Sequence, residues 1–82
     1  MDPITALSNA LDGDRNAARD YNGWVARGGF SARVDLDPAL DLWMMGIRYV
    51  DVTKVGTTYV HGVHVGTGRK VRVPIARVDI MS

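Results

Sequence analysis

Gly56, Gly66, Gly68 and Pro74 divide residues 47–82 into runs of nine residues or fewer, and those runs are filled with Val, Ile, Thr and Tyr. β-Branched and aromatic side chains between glycine turns suit short strands, not helices. The expected strands are Ile47 to Val55, Thr57 to Val65, Arg69 to Val73 and Ala76 to Met81. In the last of them Val78 and Ile80 face away from Arg77 and Asp79. Pro74 ends the third because it has no N–H to give to a ladder. Four short strands joined by tight turns expose their edges unless the sheet curls, so a small barrel is the expected solution.

The first 29 residues carry a different period. Ile4, Leu7 and Leu11 are spaced by three and four, as one buried helical face requires, with Asp2 placed to cap and Pro3 at the first helical position. Asp12-Gly13-Asp14 then interrupts, since glycine costs about 1 kcal/mol relative to alanine inside a helix and aspartate prefers caps. Ala18, Tyr21, Trp24 and Val25 resume the pattern, and Gly28-Gly29 is suited to close it. The residues fit a helical hairpin. Because the heptad phase runs on from Leu11 to Val25, one long kinked helix fits them as well.

Between these parts, residues 30–46 form a connecting segment. Ala32, Val34 and Leu36 alternate with Arg33, Asp35 and Asp37, which reads as a brief half-buried strand. Pro38 to Met45 reads as a helical turn capped by Asp37 and stopped by Gly46, or as a lead into the next strand. The expected organisation is one domain over 1–82, with a helical segment at 1–29 and a β-barrel core at 47–82.

Composition narrows the function classes. Hydrophobic residues make up 46% of the chain and charged ones 23%, which excludes a charge-swollen disordered polymer. With no cysteine there is no disulfide framework, no thiolate metal site and no thiol nucleophile. Met1-Asp2-Pro3 has an acid where a signal peptide has a basic region, and no apolar run is long enough to span a bilayer, so a cytoplasmic location without membrane contact is expected. The net charge of +1 hides an asymmetry: four cations against seven aspartates in residues 1–47 leave −3, and six cations against two aspartates in residues 48–82 leave +4. Such a split either steers a polyanion to one end or makes the halves attract each other.

Val52-Thr53-Lys54-Val55-Gly56-Thr57-Thr58-Tyr59-Val60, followed by Gly66 to Ile75 with its basic Arg69-Lys70-Val71-Arg72, resembles the small SH3-like β-barrels of short phage-encoded proteins. Leu11 to Asp14 and Trp24 to Phe30 are similar to the helical openings of small actinobacteriophage proteins. The resemblance implies a phage accessory protein, found in the host cytoplasm, with a barrel fold; it implies no activity, because such barrels serve many tasks.

Catalytic constellations are missing from the sequence. Ser8, Ser31 and Ser82 lack a nucleophile elbow, and Gly66-x-Gly68-Arg69-Lys70 lacks both the spacing and the following helix of a phosphate loop. His61 and His64 are three apart, which on a strand places them on opposite faces and prevents a metal clamp unless Gly62 introduces a bulge. Asp35 and Asp37 share one side of a strand and could meet a cation, or serve as solvent-facing turn and cap residues. No enzyme activity and no cofactor is expected.

Two binding sets remain. Trp24, Phe30, Trp43, Met44 and Met45 supply more bulky apolar side chains than a four-strand barrel covers, which points to a protein partner, either a host protein bound stoichiometrically or a second copy in a homodimer. Arg69, Lys70 and Arg72 on one strand, with Lys54 and Tyr59 nearby, point to nucleic acid. On that strand Lys70 and Arg72 face one side while Val71 and Val73 face the other. Arg48 and Lys54 share the parity of Val50 and Val52 and are expected to emerge only at the strand ends, and Tyr49 and Tyr59 on neighbouring strands could offer stacking planes. The reading is an α+β domain, an N-terminal helical hairpin followed by a small SH3-like antiparallel β-barrel, acting as a non-enzymatic binding module on a host protein, with nucleic-acid binding and a structural virion role as alternatives.

Overall fold

A computed structural model describes residues 2–28 and 31–80. Asp2 caps α1 (Pro3–Leu11) by accepting from the Thr5 N–H and hydroxyl, each at 2.9 Å, which also holds its carboxyl below the usual range. The helix ends at Asp12-Gly13, where Gly13 takes a φ of 103° that side chains disfavour. Asp14 then caps α2 (Arg15–Ala26), its Oδ1 accepting from the Asn16 and Ala17 N–H groups. The two helices form the hairpin. Its buried stripe is Ala6, Leu7, Ala10, Ala17, Ala18 and Tyr21, and the small alanines let the helices pack closely. Ile4 and Trp24, expected on that stripe, lie at 48% and 38% exposure.

The strands are β1 (Arg33–Leu36), β2 (Tyr49–Val55), β3 (Tyr59–His64), β4 (Lys70–Pro74) and β5 (Val78–Ile80), with a 3-10 turn at Ile75–Arg77 before β5. All pair antiparallel in the order β4-β3-β2-β1-β5. The fold class is therefore α+β as expected, a helical hairpin followed by an antiparallel sheet. β1, expected in the connecting segment, is an inner strand with β2 on one side and β5 on the other. Among the described residues no ladder joins β4 to β5, so the sheet has two edges.

Helices and sheet share one apolar core. Val34, Leu36, Val50, Val52, Val55, Val60, Val73 and Val78 line the inner face and meet Leu7 and Tyr21. At about 1.5–3 kcal/mol for each large aliphatic side chain buried, this layer is the main favourable contribution to folding. Gly62 lies on that face with no room to spare: a Cβ there would sit 2.8 Å from Val50 Cγ2 and 2.9 Å from the Asp51 carbonyl oxygen.

Two side chains tie α2 to the sheet. The Tyr21 hydroxyl donates to the Val52 carbonyl and accepts from the Ala32 N–H at 2.9 Å. Asn22 donates to the Val55 carbonyl at 3.0 Å and accepts from the Val55 N–H at 2.8 Å. β1 stops short of Val55, so the Asn22 amide takes the place of a neighbouring strand. A bulge between Val52 and Lys54 makes this geometry fit. It also resets parity: Val55 is buried and Lys54 exposed, opposite to the uninterrupted alternation expected from the sequence.

The helix expected from Pro38 begins three residues later as α3 (Asp41–Met44), with Leu40 at its N-cap. Asp37 caps a turn instead, accepting from the Ala39 N–H at 2.9 Å. Gly46, with a φ of 84°, returns the chain toward β2.

Candidate ligand-binding face

Pairing register brings the basic residues together. Lys54 lies opposite His61, and His61 lies opposite Arg72, so the three form one row across β2, β3 and β4 on the outer face. The Arg72 guanidinium stands 4.4 Å from the centroid of the Tyr59 ring, two residues from His61 on the same side of β3. Lys70 lies one row further on, opposite Val63. Thr53, His61, Val63, Lys70 and Arg72 border a shallow depression of about 530 Å³. Arg69 sits at the entry to β4, its N–H donating to Thr67 Oγ1 at 3.3 Å. The two ion pairs among the described residues are Arg33 with Asp51 at 3.1 Å and Arg77 with Asp37 at 2.9 Å. Lys54, Arg69, Lys70 and Arg72 thus face solvent with no acid partner. The bulge at Thr53 is what places Lys54 in this set.

Tyr49 does not join them. It pairs with Asp35 at the far end of β2, under the Arg33 guanidinium at 5.4 Å, whereas Tyr59 lies at the β4 end of the sheet beside Pro74. The expectation of two neighbouring stacking planes is corrected accordingly: the face has one, Tyr59.

The apolar set divides. Trp43 is half-buried, its Nε1 donates to the Leu36 carbonyl at 2.8 Å, and the Arg48 guanidinium covers its ring at 4.9 Å. Trp43 is an anchor that fixes α3 against β1. Met44, at 91% exposure, and Met45, at 51%, project from that anchored turn. Trp24 stands apart on α2, with Arg27 at 5.8 Å from its ring. Phe30 lies outside the described residues.

The remaining candidates resolve simply. His64 Nδ1 is 2.9 Å from Thr67 Oγ1 in the β3–β4 turn, and His61 is exposed on the outer face, so the histidines form no pair. Asp37 is held below the usual carboxylate range by the Ala39 N–H and then by Arg77. Asp35 lies opposite Asp79 across β1 and β5. No group of three or more His, Asp or Glu side chains among the described residues could hold a metal ion. Among the described residues no helix is long and apolar enough to cross a membrane.

Sequence reasoning named Lys54, Tyr59, Lys70 and Arg72 but missed His61 as the centre of their row. The signal was present in the turn: the hairpin register after Gly56 that sets Val55 opposite Val60 also sets Lys54 opposite His61, and the bulge shifts only the pairs beyond Lys54. Comparison with protein-family models, curated proteins and solved structures finds no match.

Proposed function

We propose that this protein is a non-enzymatic binding module that holds single-stranded nucleic acid on the outer face of β2, β3 and β4. The observation that carries the reading is the row Lys54, His61, Arg72, with the Tyr59 ring beside it and no acid paired to its cations. A flexible anionic strand needs cations spaced along a track and a flat ring on which a base can stack; a double helix would need a protruding element to enter a groove. Lysine and arginine would contact phosphates, and Tyr59 would take a base in exchange for, or sandwiched with, the Arg72 guanidinium.

Titration of a fluorescent oligothymidylate, followed by anisotropy over a salt series, tests this. Neutralising about three phosphates gives a log–log salt slope near −2 for a single strand. Replacing Lys54, Lys70 and Arg72 by glutamate should abolish binding, and Tyr59→Ala should weaken it by about 1–3 kcal/mol with the salt slope kept. Wild-type protein that does not bind at low salt would end the reading.

One observation favours a second reading, stoichiometric docking on a host protein: Met44 is 91% exposed on a turn that Trp43 holds in place. Contact through methionine survives salt and nuclease, and it fails on replacement of Met44 and Met45. Capture of a single protein lost on Met44→Ser with Met45→Ser, and retained with the three glutamates, selects this reading over the first.

A further inference from the structure

Among the described residues, β4 and β5 each have one side without a neighbouring strand. In an antiparallel ladder, alternate residues direct their N–H and C=O groups to opposite sides. The His64 N–H donates to the Arg69 carbonyl at 2.8 Å and the Ile75 N–H to the Thr58 carbonyl at 2.9 Å, so residues 69, 71, 73 and 75 bond toward β3, and Lys70 and Arg72 direct their backbone groups outward. At the other edge the Asp37 N–H donates to the Arg77 carbonyl at 2.9 Å, so residues 77 and 79 bond toward β1, and Val78 and Ile80 direct theirs outward. The edges differ in charge. β4 presents Lys70 and Arg72, while β5 presents Asp79 with Asp35 directly opposite it. Two β4 edges would bring cations together and two β5 edges would bring carboxylates together, each unfavourable across a strand pair. A β4 edge against a β5 edge joins the opposite charges of the two strands, although Asp41, across a cavity of about 380 Å³ from β4, adds one acid on the β4 side.

We propose that the protein associates with itself head to tail, β4 of one copy adding to β5 of the next. Side-chain parity sets the alignment. Lys70 and Arg72 are exposed on the outer face, whereas Val78 is buried and Ile80 half-buried on the inner face. Residues directly opposite in an antiparallel pair share a face, so joining these two sets of free backbone groups antiparallel would turn one copy inside out. In a parallel pair, a residue bonding across the gap lies beside one whose groups point away, and the inner faces then stay continuous. Val78, Asp79 and Ile80 align with Val71, Arg72 and Val73 of the second copy. This register sets Asp79 against Arg72 and continues the apolar row on the other face; Pro74, without an N–H, ends the ladder. The contact is heterologous, so repetition closes a ring or extends a filament.

Lys70 and Arg72 also serve the nucleic-acid reading, so the decisive variant lies on β5, which that reading does not use. Sedimentation equilibrium of the full chain in low salt, up to about 1 mM protein, should show the mean mass climbing above a single chain. That single-chain mass is 9.0 kDa. Asp79→Lys should return the mass to a single chain without lowering oligothymidylate affinity. The absence of native cysteine permits a geometric check. Arg72→Cys and Asp79→Cys chains, mixed and mildly oxidised, should yield several-fold more mixed disulfide dimer than both like dimers together, since neighbouring strands hold Cα atoms within disulfide range. Single-chain mass throughout the series, or disulfide yields at the random ratio, overturns the proposal.

Discussion

Tyr21 shows how much one side chain can hold. Its ring is fully buried and its hydroxyl joins α2, β2 and the start of β1 through the Val52 carbonyl and the Ala32 N–H. Burial pushes its pKa from 10.0 up to about 12, outweighing the Ala32 N–H, which acts in the opposite direction. A folded-state value above the unfolded one means that the unfolded chain ionises first, so this contribution to stability is intact below pH 10.0 and is lost as pH rises through about 12. Tyr21→Phe keeps the ring and orphans two buried backbone groups, at about 1–3 kcal/mol each. Denaturant titration should show a lower midpoint with an unchanged slope, and the variant should lack the alkaline loss that the wild type shows. From the sequence Tyr21 was legible only as one of the apolar stripe; its hydroxyl's partners are 11 and 31 residues away, beyond any helical period.

At the scale of elements, local signals were readable and pairings were not. Asp2, Asp14 and Gly13 act as the sequence indicates, because caps and breaks depend on near neighbours. The alternation of Ala32, Val34 and Leu36 disclosed a strand, but its inner position depends on β5, more than 40 residues further along. Strand parity failed at Thr53 for a related reason: an extra residue in β2 leaves no local composition mark, and it decides that Lys54 faces solvent while Val55 faces Asn22. Asn22→Ala therefore tests the bulge itself. It should destabilise by about 1–3 kcal/mol, as loss of the partner for a part-buried N–H and C=O requires. Hydrogen exchange should show the Val55 amide losing more protection than Val50 or Val52, whose ladders stay intact. Uniform loss at all three amides would mean that Asn22 contributes only to global stability. The apolar excess around residue 43 was legible too, but its division was not: Trp43 is fixed by the Leu36 carbonyl, and Met44 beside it is left bare. Met44→Ser should accordingly leave thermal stability within about 0.5 kcal/mol of wild type, as expected for a surface position, whereas Trp43→Ala should cost several times that.

For the whole molecule, the opposite charges of the two halves resolve into a gradient across one sheet face. Asp79 and Asp35 lie at the β5 end, the Arg33–Asp51 pair in the middle, and His61, Lys54, Lys70 and Arg72 toward β4. This gradient, not the net charge of +1, governs which partners approach which edge. The two proposals meet at Arg72: a bound strand would occupy the guanidinium that an adjoining copy's Asp79 requires. Nucleic acid and self-association then compete, and linkage makes the effect reciprocal. An oligothymidylate just long enough for one chain should lower the mean mass of concentrated protein toward a single-chain complex, and raising protein concentration should weaken its apparent affinity. Neutral oligonucleotide analogues lacking backbone charge should do neither. If the assembly keeps its mass while saturated with oligonucleotide, Arg72 is not shared, and binding belongs to Lys54, Lys70 and Tyr59.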